Sequence, residues 1–93
     1  MKGKQRAVLR GLAQPLDCVV YIGKDGITDN VIEAADQAIT ARELIKCSVQ
    51  QNCALSAREA SDMLCAALEA EGISCSGRKF VLYRRSENNI LGL

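Results

Sequence analysis

Apolar residues along this chain switch between helical spacing and alternation, and the switches mark out seven elements. Residues 4–14, KQRAVLRGLAQ, read as a short helix ahead of Pro15. Leu9, Leu12 and Leu16 recur at helical intervals as an apolar stripe, and Lys2, Arg6 and Arg10 recur every four residues as a basic row beside it. Cys18-Val19-Val20-Tyr21-Ile22 is a compact β-favouring run, read as a buried strand, and it stops at the tight loop Gly23-Lys24-Asp25-Gly26. A second helix spans about 29–41, with Thr28 as its N-cap and Ile27, Val31, Ala34, Ala35 and Ala38 on its inner face. From Leu44 to Gln50 the pattern alternates, with Ile45, Cys47 and Val49 inward and Lys46, Ser48 and Gln50 outward, which predicts a half-buried strand. Ser56-Ala57-Arg58-Glu59 has the form of a capping box. It opens a third helix with Ala60, Leu64, Ala67 and Leu68 on the core side and Gly72 as C-terminal cap. Ile73-Ser74-Cys75 and residues 79–84 close the pattern as a hairpin joined through Ser76-Gly77-Arg78.

The order helix-strand-helix-strand-helix-strand-strand predicts an α/β fold, an open α+β-like sandwich on a mixed four-stranded sheet. With 93 residues, 48% hydrophobic and 25% charged, the chain suits one small soluble domain and is too apolar for a disordered one. Its core is modest and leaves little room for a deep substrate pocket. No apolar run approaches the roughly 20 residues of a membrane span. The start Met1-Lys2-Gly3-Lys4-Gln5-Arg6 is not followed by the apolar stretch of a secretory signal.

Twelve Lys and Arg against eleven Asp and Glu give a net charge of only +1, which argues against a nucleic-acid partner until the charges are placed. Residues 1–16 carry +4, residues 17–71 carry −6 and residues 72–86 carry +4. If the two basic segments and Lys24 fold to one side, the domain has a cationic face and an acidic back.

Absences narrow the chemistry. There is no His, so His-based triads and His-ligated metals are excluded. Cys18, Cys47, Cys53, Cys65 and Cys75 form no Cys-x-x-Cys pair and read as small hydrophobic residues in a reducing compartment. A thiolate enzyme using Cys53 or Cys75 would lack a partner base. The aromatics Tyr21, Phe80 and Tyr83 leave little for a base-stacking sheet.

The Gly23-Lys24-Asp25-Gly26 loop lies between a strand and a helix. Two glycines there serve a sharp turn; equally, the loop amides can face a phosphate while Lys24 adds a mobile charge. Neither a dinucleotide fingerprint nor a P-loop is present. Asp25 departs from a purely basic site and either caps the helix or lowers affinity. Arg84 and Arg85 either guard a sheet edge or join the loop and Lys2, Arg6 and Arg10 in holding one polyanion.

Several ordered motifs then carry a family resemblance over nearly the whole chain. They are Gly3-Lys4-Gln5-Arg6 with Leu9-Arg10 and Leu12-Ala13, the run from Val19 to Thr28, Arg42-Glu43-Leu44-Ile45-Lys46 with Asn52, and the run from Gly77 to Arg84. Together they resemble the YhbY-type proteins, free-standing bacterial copies of the CRM domain, named for chloroplast RNA splicing and ribosome maturation. Residues 48–56 and the tail match less well. The resemblance implies a fold akin to the C-terminal domain of translation initiation factor three. It also implies RNA binding, association with precursor large ribosomal subunits, and no catalysis. The family's RNA surface, a basic first helix plus the glycine loop, maps onto Lys4, Arg6, Arg10, Gly23, Lys24 and Gly26.

The expectation is therefore a cytoplasmic, monomeric RNA-binding module, residues 1–86, with a flexible tail at 87–93. It needs no cofactor, metal, membrane or small-molecule substrate. Lys2, Asp25, Arg78, Lys79, Arg84 and Arg85 complete the candidate RNA-binding set. The competing expectation is a protein-interaction or regulatory module whose acidic middle meets a basic partner.

Overall fold

The computed structural model describes residues 3–85. Lys2 and the tail at 86–93 lie outside the described residues. Three helices, α1 (Gly3–Ala13), α2 (Asp29–Arg42) and α3 (Ala57–Leu68), alternate with strands β1 (Cys18–Ile22), β2 (Leu44–Val49), β3 (Glu71–Ser76) and β4 (Lys79–Tyr83). The sheet order is β1-β2-β4-β3, with β1 and β2 parallel and the other pairs antiparallel. The fold is the mixed α/β arrangement that the element order predicts.

Two cores lie on opposite faces of this sheet. On one face Val20, Ile22, Ile45, Cys47, Val49, Phe80 and Leu82 meet Ala35 and Ile39 of α2 and Ala57, Ala60, Leu64 and Leu68 of α3. On the other, Leu44, Ile73, Val81 and Tyr83 meet Leu9 and Ala13 of α1, with Leu16 packed against them. Residues 80–83 of β4 are therefore buried on both faces, which explains their unbroken apolar run. Leu9 is fully buried and contributes ~2 kcal/mol to the docking of α1.

Caps fix where α2 and α3 begin. Thr28 Oγ1 accepts the Val31 N–H, so Thr28 and not Asp25 caps α2. In α3 both halves of the capping box form, Ser56 Oγ accepting from Glu59 and Glu59 Oε1 from Ser56.

Several expectations are corrected. Gly72 does not end α3. Glu69 does, in the left-handed conformation, and Gly72 lies in β3, where a Cβ would stand 3.3 Å from Ser61 Oγ. That glycine lets the strand press against α3. Leu12 is exposed because α1 docks through Leu9 and Ala13, one step around the helix, with Leu16 packing just beyond its end. Ala34 and Ala67 face solvent, and so does Tyr21 in the strand read as buried. β1 is an edge strand whose second face α1 leaves open. The hairpin turn is the pair Gly77-Arg78, and β3 begins earlier than expected, at Glu71. Arg84 and Arg85 guard no edge, since β4 is an interior strand.

Candidate nucleic-acid interface

The glycine loop closes as a turn in which the Gly26 N–H donates to the Gly23 carbonyl at 3.0 Å. Gly26 has φ +71°, a conformation that costs any other L-residue roughly 1–2 kcal/mol, and Lys24 and Asp25 stand exposed at the tip. Gln50, at the end of β2, ties this loop to the β3–β4 hairpin. Its N–H donates to Ile22 O at 2.8 Å, and its carbonyl accepts from Cys53 N–H at 3.1 Å and from Arg78 Nη1 at 3.4 Å. Val49 N–H donates to Arg78 O at 2.7 Å, and Gln50 Oε1 lies over Gly23. Lys24, Arg78 and Lys79 therefore share one end of the sheet.

On the α1 side the sheet is covered only at its other end. Pairing in register sets Tyr21 beside Ser48, Ser48 beside Lys79, and Lys46 beside Val81. Two depressions result, sharing Lys46 and Lys79. One, about 240 Å³, runs from Arg10, Ala13 and Gln14 of α1 to Ser74 and Ser76 of β3. The other, about 500 Å³, is bounded by Leu16, Asp17, Cys18, Tyr21 and Ser48. They form a trough across all four strands, with α1 as one wall and Arg10, Lys46 and Lys79 as its cations. Asp17 is the one carboxylate among these lining residues. Asp29, Glu33 and Asp36 on α2 and Glu59 and Asp62 on α3 belong to the opposite layer. These acids lie across the sheet from the trough cations, although Arg42 and Arg58 share the same helices and Arg84 is drawn to them.

The predicted site residues are not all in one place. Lys4 is exposed on α1. Arg6 is turned to the β3 edge, donating to the Gly72 carbonyl with Glu71 Oε2 at 3.8 Å. Arg84 is on the far side. Its Nη1 donates to Asp36 Oδ1 at 3.0 Å and Leu68 O at 2.9 Å, and Nη2 to Thr40 Oγ1 at 2.7 Å, so it joins α2, α3 and β4. Arg85 follows it, exposed, at the end of β4 remote from the glycine loop.

Lys46, Ser48, Tyr21 and Gln50 are the residues the sequence reading leaves out of the site. Alternation already turns Lys46 and Ser48 outward, but only the pairing register brings them to Lys79 and Tyr21.

Two of the five thiols, Cys47 and Cys65, are turned away from reactivity by burial. Burial, with Cys18 and Cys65 nearby, pushes the Cys47 thiol up to about 12. Burial also raises Cys65, against the lowering effect of a Ser61 hydrogen bond and with Asp62 and Glu71 adding to the rise. Both shifts run opposite to thiolate activation.

Comparison with known proteins agrees with this architecture. The model of the CRS1/YhbY (CRM) domain matches residues 1–84. A Bacillus subtilis protein named "Probable RNA-binding protein YqeI" is 36% identical over 89 residues, covering 96% of this chain and 93% of the relative. A Haemophilus influenzae protein named "RNA-binding protein" is 35% identical over 88 residues, covering 90% of this chain and 85% of the relative. The solution structure of a hypothetical protein from Staphylococcus aureus superposes with a TM-score of 0.82 at 38% identity, covering 96% of this chain and 93% of that one. The chain belongs to the CRS1/YhbY (CRM) domain family.

Proposed function

We propose that this chain is an RNA-binding protein of ribosome assembly, acting without catalysis on RNA of the precursor large subunit. The observation that carries the reading is the trough: Arg10, Lys46 and Lys79 line one side of a sheet whose other side bears the acidic helices. Lys24 and Arg78 extend the cationic surface around the end of the sheet. Phosphates are neutralised by these side chains, and the Gly23–Gly26 turn holds Lys24 out at its tip. Arg84, held by α2 and α3, serves the fold in this reading. The names of the relatives support RNA as the partner; the link to large-subunit precursors rests on the family resemblance.

Titration of the protein with large-subunit ribosomal RNA across a salt series tests this. Affinity falls with rising salt, and Lys24→Ala and Lys79→Ala each make the logarithmic slope shallower by about 0.7 to 0.9. Binding indifferent to salt, or no binding, overturns the proposal. Co-purification of a protein partner that survives nuclease, with no RNA affinity, would establish the protein-interaction module instead.

A further inference from the structure

Tyr21 is the most exposed aromatic of the described residues, 57% accessible, and it stands on the floor of the cationic trough. Its hydroxyl donates to the Cys18 carbonyl at 3.2 Å, three residues back along its own strand. That bond tethers the phenol tip to its own strand while the side chain stays exposed to solvent. A solvent-exposed tyrosine needs no such tether for folding. What the tether provides is a flat, pre-oriented surface at low entropic cost.

Cations stand beside this surface. Lys46 and Lys79 border the same depression as Tyr21, and Arg10 borders the next one along. The trough crosses three inter-strand steps of about 4.8 Å each, roughly 14 Å in all. Ser48, Ser74 and Ser76 line it between the cations and can donate or accept at base edges or sugar hydroxyls. α1 walls it on one side through Arg10 and Ala13.

We infer that this trough takes a single-stranded RNA segment, with one base stacked on Tyr21 and the neighbouring phosphates on Lys46, Lys79 and Arg10. The inference rests on the RNA-binding reading and adds to it the conformational class of the ligand and a stacking residue. A duplex does not meet these features: its bases are already stacked on each other, and α1, standing on the sheet, holds a convex helix away from the floor. An unpaired base presents a free π-face to an aromatic, whichever base it is.

Two probes separate this inference from the reading it rests on: a fluorescent oligouridylate and a blunt RNA duplex of equal length, each titrated by anisotropy. Wild-type protein prefers the single strand. Tyr21→Ala weakens binding to the oligouridylate about tenfold or more, leaves its salt slope unchanged, and shifts duplex binding by less than about twofold. Tyr21→Phe keeps the π-face but loses the tether to Cys18, so its affinity falls between those of wild type and Tyr21→Ala. Lys46→Ala and Lys79→Ala instead make the slope shallower by about 0.7 each. In the wild type, the Tyr21 ring protons move upfield when the oligouridylate is added, a readout that needs no substitution. The inference is overturned if Tyr21→Ala binds the single strand as well as wild type does, if it loses equally on the duplex, or if the ring protons do not move. Should the wild type bind neither probe yet still bind large-subunit ribosomal RNA, this inference alone is overturned; failure on all three overturns the RNA-binding reading as well.

Discussion

Glu69 ends α3 at φ 55° and ψ 42°, with its N–H donating to Cys65 O. A side chain in that conformation costs roughly 1–2 kcal/mol, and Glu69 is exposed, so its own contacts return little. Glu69→Gly is expected to raise stability by ~0.5–1 kcal/mol, after the added freedom of the unfolded chain is counted. A urea midpoint higher than wild type at unchanged slope is the measurement. Gly26→Ala should move the other way by about 1 kcal/mol, because it sets a Cβ at positive φ, 3.4 Å from Leu55 Cδ1. Residues that act through local rules, such as Thr28 and the Ser56–Glu59 capping box, were legible in the sequence. Tyr21 and Gln50 were not, because their roles come from neighbours distant in sequence: Ser48 and Lys79 for one, Ile22 and Arg78 for the other. Gly72 differs from its expected role for the same reason. A glycine just past a helix suits a cap, and only the approach of β3 to α3 shows what it does.

Among elements, β4 depends most on both layers. Its C-terminal end is fastened by Arg84, whose side chain, 26% accessible, bonds through its guanidinium to α2 and α3. Arg84→Ala is expected to lower unfolding stability by about 2 kcal/mol by urea denaturation. RNA affinity at native conditions should stay within about twofold, since the residue lies away from the trough. A fall in affinity as large as that of Lys79→Ala would return Arg84 to the binding surface. Cys47 on β2 gives the same core a pH dependence. Its folded-state pKa lies near 12 against an ordinary 9.0, so the buried thiol stays protonated while the unfolded chain ionises. The stability it contributes is complete below pH 9 and is lost as pH rises from 9 toward 12, at up to about 1.4 kcal/mol per pH unit. Burial also raises Cys65, and at Tyr83 burial and then the Glu43 charge raise the phenol, so both add to the same alkaline decline. Urea melts at successive pH values from 8 to about 11 should show a shallower decline for Cys47→Ala than for wild type. Equal slopes would mean that the thiol ionises freely in the fold.

At the scale of the whole molecule, the net charge of +1 conceals a division between layers. The segment sums already separate a basic start and end from an acidic middle, and the sheet turns that sequence order into sides. The sums misplace residues in both directions: Lys46 belongs to the acidic segment yet faces the trough, because alternation in β2 sends it to the α1 side, and Arg84 of the basic end is drawn to the acidic layer. Position and total charge then make opposite predictions. In Lys79→Gln one trough cation is lost, and in Glu33→Gln one carboxylate is lost from the exposed surface of α2. The double variant keeps the net charge of wild type. At about 0.15 M salt the Debye length is ~8 Å, shorter than a path from α2 around or through the sheet, so Glu33 is screened from RNA in the trough. The double variant should then bind RNA as weakly as Lys79→Gln alone, and Glu33→Gln alone should match wild type. Near 0.01 M salt the Debye length grows to about 30 Å, and Glu33→Gln should now strengthen binding measurably. Recovery of wild-type affinity by the double variant at the higher salt would mean that total charge, and not the arrangement of Arg10, Lys46 and Lys79, governs association.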